Sequence, residues 1–185
     1  MRIHCIFEPD SPERLCTLGL SAERSGFDSV WLPNMLSARD PFLALAKLAC
    51  ASQTIRMGPV AISPFELHPL KIANSLLTLN ELSGGRASLV VGGGGGTMIG
   101  MGLKPDRRAT HPHMLGGVAE CLEFLHRAVK GDAFSFDGRL FQVRDYRPVH
   151  TGLAAPRLWL AANGPQMLAL AARSAGGVML SDISL

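Results

Sequence analysis

Five consecutive glycines, Gly92 to Gly96, stand directly after an apolar run and are the first place to look for chemistry. Two phosphate-loop patterns fail there. GxGxxG would need a third glycine where Thr97, Met98 or Ile99 stands, and no glycine of the run precedes a lysine, as GxxxxGK[ST] requires. What remains is access: without side chains at a strand's C-terminal end, a planar ligand can lie directly on backbone. A flexible surface loop explains the same residues equally well. A second stretch, Ala161-Ala162-Asn163-Gly164-Pro165, combines small residues with an amide that bonds both ways. The free amides of a helix starting there would suit a phosphate, although on its own the stretch reads as an ordinary turn. Pro59 and Pro64 lie close enough to break a strand ladder and impose a bulge. His68 just beyond is a ligand or proton donor in one reading, and by default a helix cap or surface residue. His111 and His113 have no acidic partner nearby in sequence, so no metal site is expected. No serine sits in a GxSxG elbow.

The elements that must position these residues alternate. Short apolar runs at 3–7, 29–32, 56–61, 88–91, 157–161 and 177–180 predict strands. Helical spacing predicts helices over 13–25, from Pro41 after Asp40 as N-cap, from Pro69 to the stop at Gly84-Gly85, over about 113–129, and over 166–173. Strand then helix, repeated, implies a parallel sheet in an α/β fold. An open doubly wound sheet and a closed eight-stranded barrel both satisfy that rhythm, and both put ligand loops at strand C-termini. Only 131–156 departs from it, as an insertion whose Asp137-Gly138 signals a hairpin. No linker divides residues 1–185, so a single domain is expected.

Composition narrows the function classes. Hydrophobic residues make up 47% and charged residues 18%, as in a globular chain. The net charge of +3 is scattered, with Arg107-Arg108 the closest cluster, which argues against a nucleic-acid surface. Cys5, Cys16, Cys50 and Cys121 form no CxxC pair and read as buried, reduced thiols. Glu8, Asp10 and Glu13 interrupt any signal-peptide core, and the uncharged run 87–103 is too glycine-rich for a membrane helix. No membrane is expected as a partner, and the expected location is the cytoplasm.

Several stretches together carry a family resemblance. They are Gly26-Phe27-Asp28-Ser29-Val30-Trp31, Arg39-Asp40-Pro41-Phe42, Leu79-Asn80-Glu81-Leu82-Ser83-Gly84-Gly85-Arg86, Val91-Gly92-Gly93-Gly94 and Ala161-Ala162-Asn163-Gly164-Pro165-Gln166-Met167. In order and spacing the chain resembles the luciferase-like flavin- and deazaflavin-dependent oxidoreductases. Residues 58–69 are most similar to the deazaflavin branch, especially methylenetetrahydromethanopterin reductases. The resemblance implies a (β/α)8 TIM-type barrel, here incomplete with about six βα units. It implies homodimers and a small-molecule substrate. It also implies hydride transfer, or monooxygenation, through coenzyme F420 or FMN. Cofactor contacts are implied at Asn34, Val60, Ala61, Ile62, Ser63, Gly92, Gly93, Gly94, Ala162, Asn163, Gly164, Pro165 and Met167. A cis peptide after strand three would correspond to Val60–Ala61.

Two departures matter. The family's Asp-His after strand two appears as Asn34-Met35, and methionine cannot donate a proton. A glutamate that some deazaflavin enzymes carry past strand four appears as Gly95. No catalytic residue and no metal ligand is therefore assigned. The residues after the sixth strand are few, so the expectation includes a fragment, a truncated gene, or a shortened, non-catalytic flavin-binding or degenerate member of the kind luminous bacteria hold.

Overall fold

Four of the short apolar runs, those at 3–7, 29–32, 56–61 and 157–161, are each followed by a helix that opens on a proline, Pro12, Pro41, Pro69 or Pro165. The computed structural model describes residues 2–102, 111–149 and 151–180. The pair Arg107-Arg108, the side chain of His111 and residues 181–185 lie outside the described residues. In chain order the elements are β1 (His4–Ile6), α1 (Pro12–Arg24), β2 (Ser29–Pro33), α2 (Pro41–Ala51), β3 (Arg56–Val60), α3 (Pro69–Leu82) and β4 (Ser88–Val91). They continue with α4 (Gly95–Gly100), α5 (His111–Ala128), β5 (Phe134–Asp137), β6 (Gln142–Tyr146), β7 (Arg157–Ala161), α6 (Pro165–Ser174) and β8 (Val178–Met179).

The helix starts follow their caps. The Arg14 amide donates to Ser11 Oγ at 3.1 Å ahead of α1, and the Leu43 amide to Asp40 Oδ1 at 2.9 Å ahead of α2. α3 ends where Gly84 and Gly85 take φ of +63° and +88°, a left-handed exit that glycine alone adopts freely.

β1-β2-β3 pair in parallel, and so do β4-β7-β8. The two runs join between β3 and β4 through parallel bridges at Met57–Ala87 and Ile62–Val91. Between those bridges the ladder is interrupted. Pro59 has no N–H to give, and Gly58 passes so close to the Ser88 carbonyl that a Cβ would overlap it. The resulting order β1-β2-β3-β4-β7-β8 is the partial barrel expected from the sequence, an arc with no closure among the described residues.

The two faces of the arc differ. Val30, Leu32, Met57, Leu89, Leu158 and Leu160 belong to one buried cluster with the helices. Their neighbours point the other way, and Trp31 of β2 meets Trp159 of β7 across the concave side, ring centroids 5.5 Å apart. Glycines make room for the pair: a Cβ on Gly177 would stand 2.8 Å from the Trp159 ring.

Several expectations need correction. Strand three ends at Val60, one residue early, because the chain turns at the following peptide. The glycine-rich loop contains the short helix α4. Glycine disfavours a helix by about 1 kcal/mol per residue, and here burial of Met98 to 1% exposure outweighs it. The hairpin turn spans 138–141, held by Glu120 of α5, whose carboxylate accepts the amides of Arg139, Leu140 and Phe141. The thiols are unpaired, but only Cys16 and Cys121 are buried: Cys50 is exposed on α2 and Cys5 on β1 is half-buried. Among the described residues no helix is long and apolar enough to cross a membrane.

Candidate functional site

The C-terminal ends of β3, β4 and β7 lie side by side, and their last concave-facing residues are the smallest available. A Cβ on Gly92 would stand 3.0 Å from the Ala61 Cβ and 3.4 Å from that of Ala161. The row Ala61–Gly92–Ala161 is thus a nearly flat surface above the tryptophan pair. The backbone fixes it: the Ile62 amide donates to the Val90 carbonyl at 2.9 Å, and the Gly92 amide to the Ile62 carbonyl at 3.0 Å. The Val60–Ala61 peptide is cis.

The glycine run is fitted to its neighbours. Gly94 has φ of +72°, and a Cβ there would overlap the Ser63 side chain. Ser63 Oγ donates to the Gly93 carbonyl at 3.0 Å. A Cβ on Gly93 would stand 2.6 Å from Met114 Sδ of α5. Side chains at Gly93 and Gly94 would collide with Met114 and Ser63, so these two glycines serve the packing of the loop, and the place where a planar ring fits is the row Ala61–Gly92–Ala161, which carries nothing larger than a methyl group.

Asn34 closes the row at the end of β2. Its amide N–H donates to the Val60 carbonyl at 2.9 Å, and its side-chain nitrogen donates to the Ala61 carbonyl at 3.5 Å and to Glu66 Oε1. The same Glu66 oxygen accepts the Ser63 amide at 3.0 Å, while Glu66 Oε2 is buried without a partner among the described residues. Met35, next along, is exposed. Beside it a cavity of about 420 Å³ has Leu32, Pro33, Met35, Leu36, Glu8 and Arg39 among its lining residues.

On the far side of Gly92, Ala162 is buried while Asn163, Gly164 and Pro165 are exposed. Gly164 caps α6 without a side-chain bond, and since Pro165 has no N–H, the first-turn amides without an intrahelical partner are those of Gln166 and Met167. The structure therefore brings together Asn34, Val60, Ala61, Ile62, Ser63, Gly92, Gly93 and Gly94, with Ala162 to Pro165 adjoining. The Met167 side chain packs against the helix-side core, so only its backbone amide, in the first turn of α6, lies beside this group. His68 takes the bland role: its Nδ1 accepts the Leu70 amide at 3.2 Å as the cap of α3, its ring stands edge-on to Phe141, and burial pushes its pKa down.

Glu66 and the tryptophan pair are absent from the sequence reading. Glu66 was legible as the last residue of Ser63-Pro64-Phe65-Glu66, an S-x-x-E capping box. The Trp31–Trp159 contact had no local signal, since it depends on the curvature of the sheet.

The pattern of the luciferase-like monooxygenases matches residues 6–184. Among curated relatives, the chain is 32% identical to a 5,10-methylenetetrahydromethanopterin reductase of Archaeoglobus fulgidus, over 86% of this chain and 46% of that protein. It is 26% identical to an F420-dependent hydroxymycolic acid dehydrogenase of Mycobacterium tuberculosis, over 89% of this chain and 48% of that protein. The chain thus spans about half the length of the curated relatives it matches. Among solved structures, the coenzyme F420-dependent tetrahydromethanopterin reductase of Methanopyrus kandleri superposes with a TM-score of 0.82 at 24% identity, over 97% of this chain and 55% of that one. A type II Baeyer–Villiger monooxygenase of Pseudomonas putida, in complex with FMN, gives 0.75 at 19% identity, over 96% and 56%.

Proposed function

The chain belongs to the luciferase-like monooxygenase family, and from that premise we propose that it carries the ring-binding half of an oxidoreductase site for coenzyme F420 or FMN. The observation that carries this reading is the bare row Ala61–Gly92–Ala161 at the strand ends. Ala61, Gly92 and Ala161 would carry the ring, Asn34 would meet its edge, and the Asn163–Gly164–Pro165 turn would hold the phosphate. When bound, the cofactor supplies the hydride chemistry. The residues of the chain hold the ring flat, keep water from its back face and leave its front face open toward the small-molecule substrate. The cytoplasmic location and the homodimer inferred from the family belong to the same reading. Leu43 on α2 and Leu82 on α3, 77% and 42% exposed, are apolar surface that a second copy would cover.

A non-catalytic flavin-binding role is the second reading, favoured by Met35, which supplies no proton at the ring's edge. Fluorescence titrations with FMN and with coenzyme F420 test the cofactor claim. Saturable binding of either one is expected. A folded, monodisperse sample that binds neither overturns both readings. Turnover by a sample that binds separates the first reading from the second.

A further inference from the structure

Glu66 lies half-buried between the ends of β2 and β3, with no role yet in the site. An ionised carboxylate only accepts hydrogen bonds. Asn34 must therefore turn its nitrogen toward Glu66, and that nitrogen's two hydrogens are used on Glu66 Oε1 and the Ala61 carbonyl. The polar atom left to Asn34 is Oδ1, which only accepts. Glu66 is itself held: the Ser63 amide donates to Oε1, and Oε2 is buried where water does not reach it. A carboxylate open to solvent could exchange its partners for water. Among the described residues this one has Asn34 and the Ser63 amide as its partners, so its grip on the Asn34 amide is firm.

We propose that Glu66 is a positioning residue that locks Asn34 with Oδ1 toward the ligand, so that this corner selects substrates bearing a hydroxyl or N–H at the end that enters. The neighbouring Met35 offers no competing donor. An alcohol or amine can donate to Oδ1, whereas a ketone of the same shape places its oxygen against another acceptor and leaves it unpaired. The proposal rests on the cofactor reading above for the location of the ligand.

The test uses the FMN-loaded protein and a shape-matched pair of probes, cyclohexanol and cyclohexanone, with affinities measured by ligand-observed NMR. Wild type is expected to prefer the alcohol by about tenfold, the discrimination of one hydrogen bond. Glu66→Gln keeps an oxygen for Asn34 and Ser63 and is expected to retain the preference. Glu66→Leu frees the Asn34 amide to rotate and is expected to lose it. Asn34→Leu, which removes Oδ1 and leaves Glu66 in place, is expected to lose it too, and serves if Glu66→Leu fails to fold. A preference that survives in Asn34→Leu, or that is absent from wild type while FMN still binds, overturns the proposal. Failure of wild type to bind FMN or coenzyme F420 is a different result and falls on the cofactor reading.

Discussion

Arg86 and Asn34 stand at opposite ends of the same parallel strands and make opposite use of their hydrogen bonds. At the N-terminal end, the Arg86 guanidinium donates to the carbonyls of Ala49, Ser52 and Ile55 and to Ser52 Oγ, closing the C-terminus of α2. Asn80 donates to the Ala154 carbonyl and accepts the Ala87 amide, and Ser83 bonds both Asn80 and Arg86. Glu23 accepts the amides of Gln53, Thr54 and Ile55. At the C-terminal end, Glu66 keeps a buried oxygen without a partner among the described residues, small residues leave a bare row, and Met35, Leu36 and Ile99 are exposed apolar side chains. One rim spends its polar groups on the fold. The other leaves shape and one oriented amide available to a ligand, as expected where strand C-termini carry function.

The sharpest break in that comparison is Arg86→Leu. It removes the charged donor from four acceptors, three of them carbonyls around a helix end. A loss of about 3 kcal/mol is expected, since bonds to charged groups exceed neutral ones and the acceptors stay behind. Urea unfolding reads it directly. A loss below about 1 kcal/mol would mean that water replaces Arg86 and that this rim is not the stabilising one. At the opposite rim, Gly92→Leu raises a side chain on the bare row. FMN affinity should fall about tenfold, equivalent to about 1.4 kcal/mol, with a smaller shift in unfolding than Arg86→Leu causes. Unchanged affinity would remove the row from the site.

The same contrast explains what could be read from the sequence. In Leu79 to Arg86 the residues with structural roles are close together in sequence: Asn80 bridges two segments, Ser83 bonds two neighbours, and the glycines turn left-handed. The cap at Asp40 was legible for the same local reason. The mouth was legible only as missing side chains. Helix α4 was hidden because its glycines predict a loop and the burial of Met98 is a tertiary effect. Glu66 was hidden because its partner Asn34 lies 32 residues away, and the capping box alone does not say what else the carboxylate holds.

Glu23 sharpens the comparison through pH. Partial burial raises its carboxyl, but the amides of Thr54, Ile55 and Gln53 and the Thr54 hydroxyl hold it down at about 2, against an ordinary 4.5. A depressed carboxylate contributes stability that is present above its unfolded pKa and is lost as pH falls through its folded value. Wild type should therefore lose stability between about pH 5 and pH 2. Glu23→Gln should be less stable at pH 7 by about 1 kcal/mol, because a neutral acceptor bonds the same amides more weakly, and its acid limb should be flatter. Parallel urea melts across that range decide it, and superimposable acid limbs would take Glu23 out of the rim's support.

The smallest expected effect belongs to Asn163→Leu and concerns the edge of the site. Asn163 is exposed and directly precedes Gly164, the cap of α6 without a side-chain bond, where helix amides and dipole favour an anion. Most of the attraction for a phosphate comes from those amides, which the substitution leaves in place, so FMN affinity should fall only about threefold, near 0.6 kcal/mol. Riboflavin has the same ring and no phosphate, and its affinity should not change. Gly92→Leu should weaken both ligands alike, since it acts on the ring. A phosphate-dependent loss at Asn163 beside a phosphate-independent loss at Gly92 would resolve the mouth into a ring platform and an anion edge. Equal losses of FMN and riboflavin at Asn163, or none, would move the phosphate away from α6 and leave the bare row as the whole of the site.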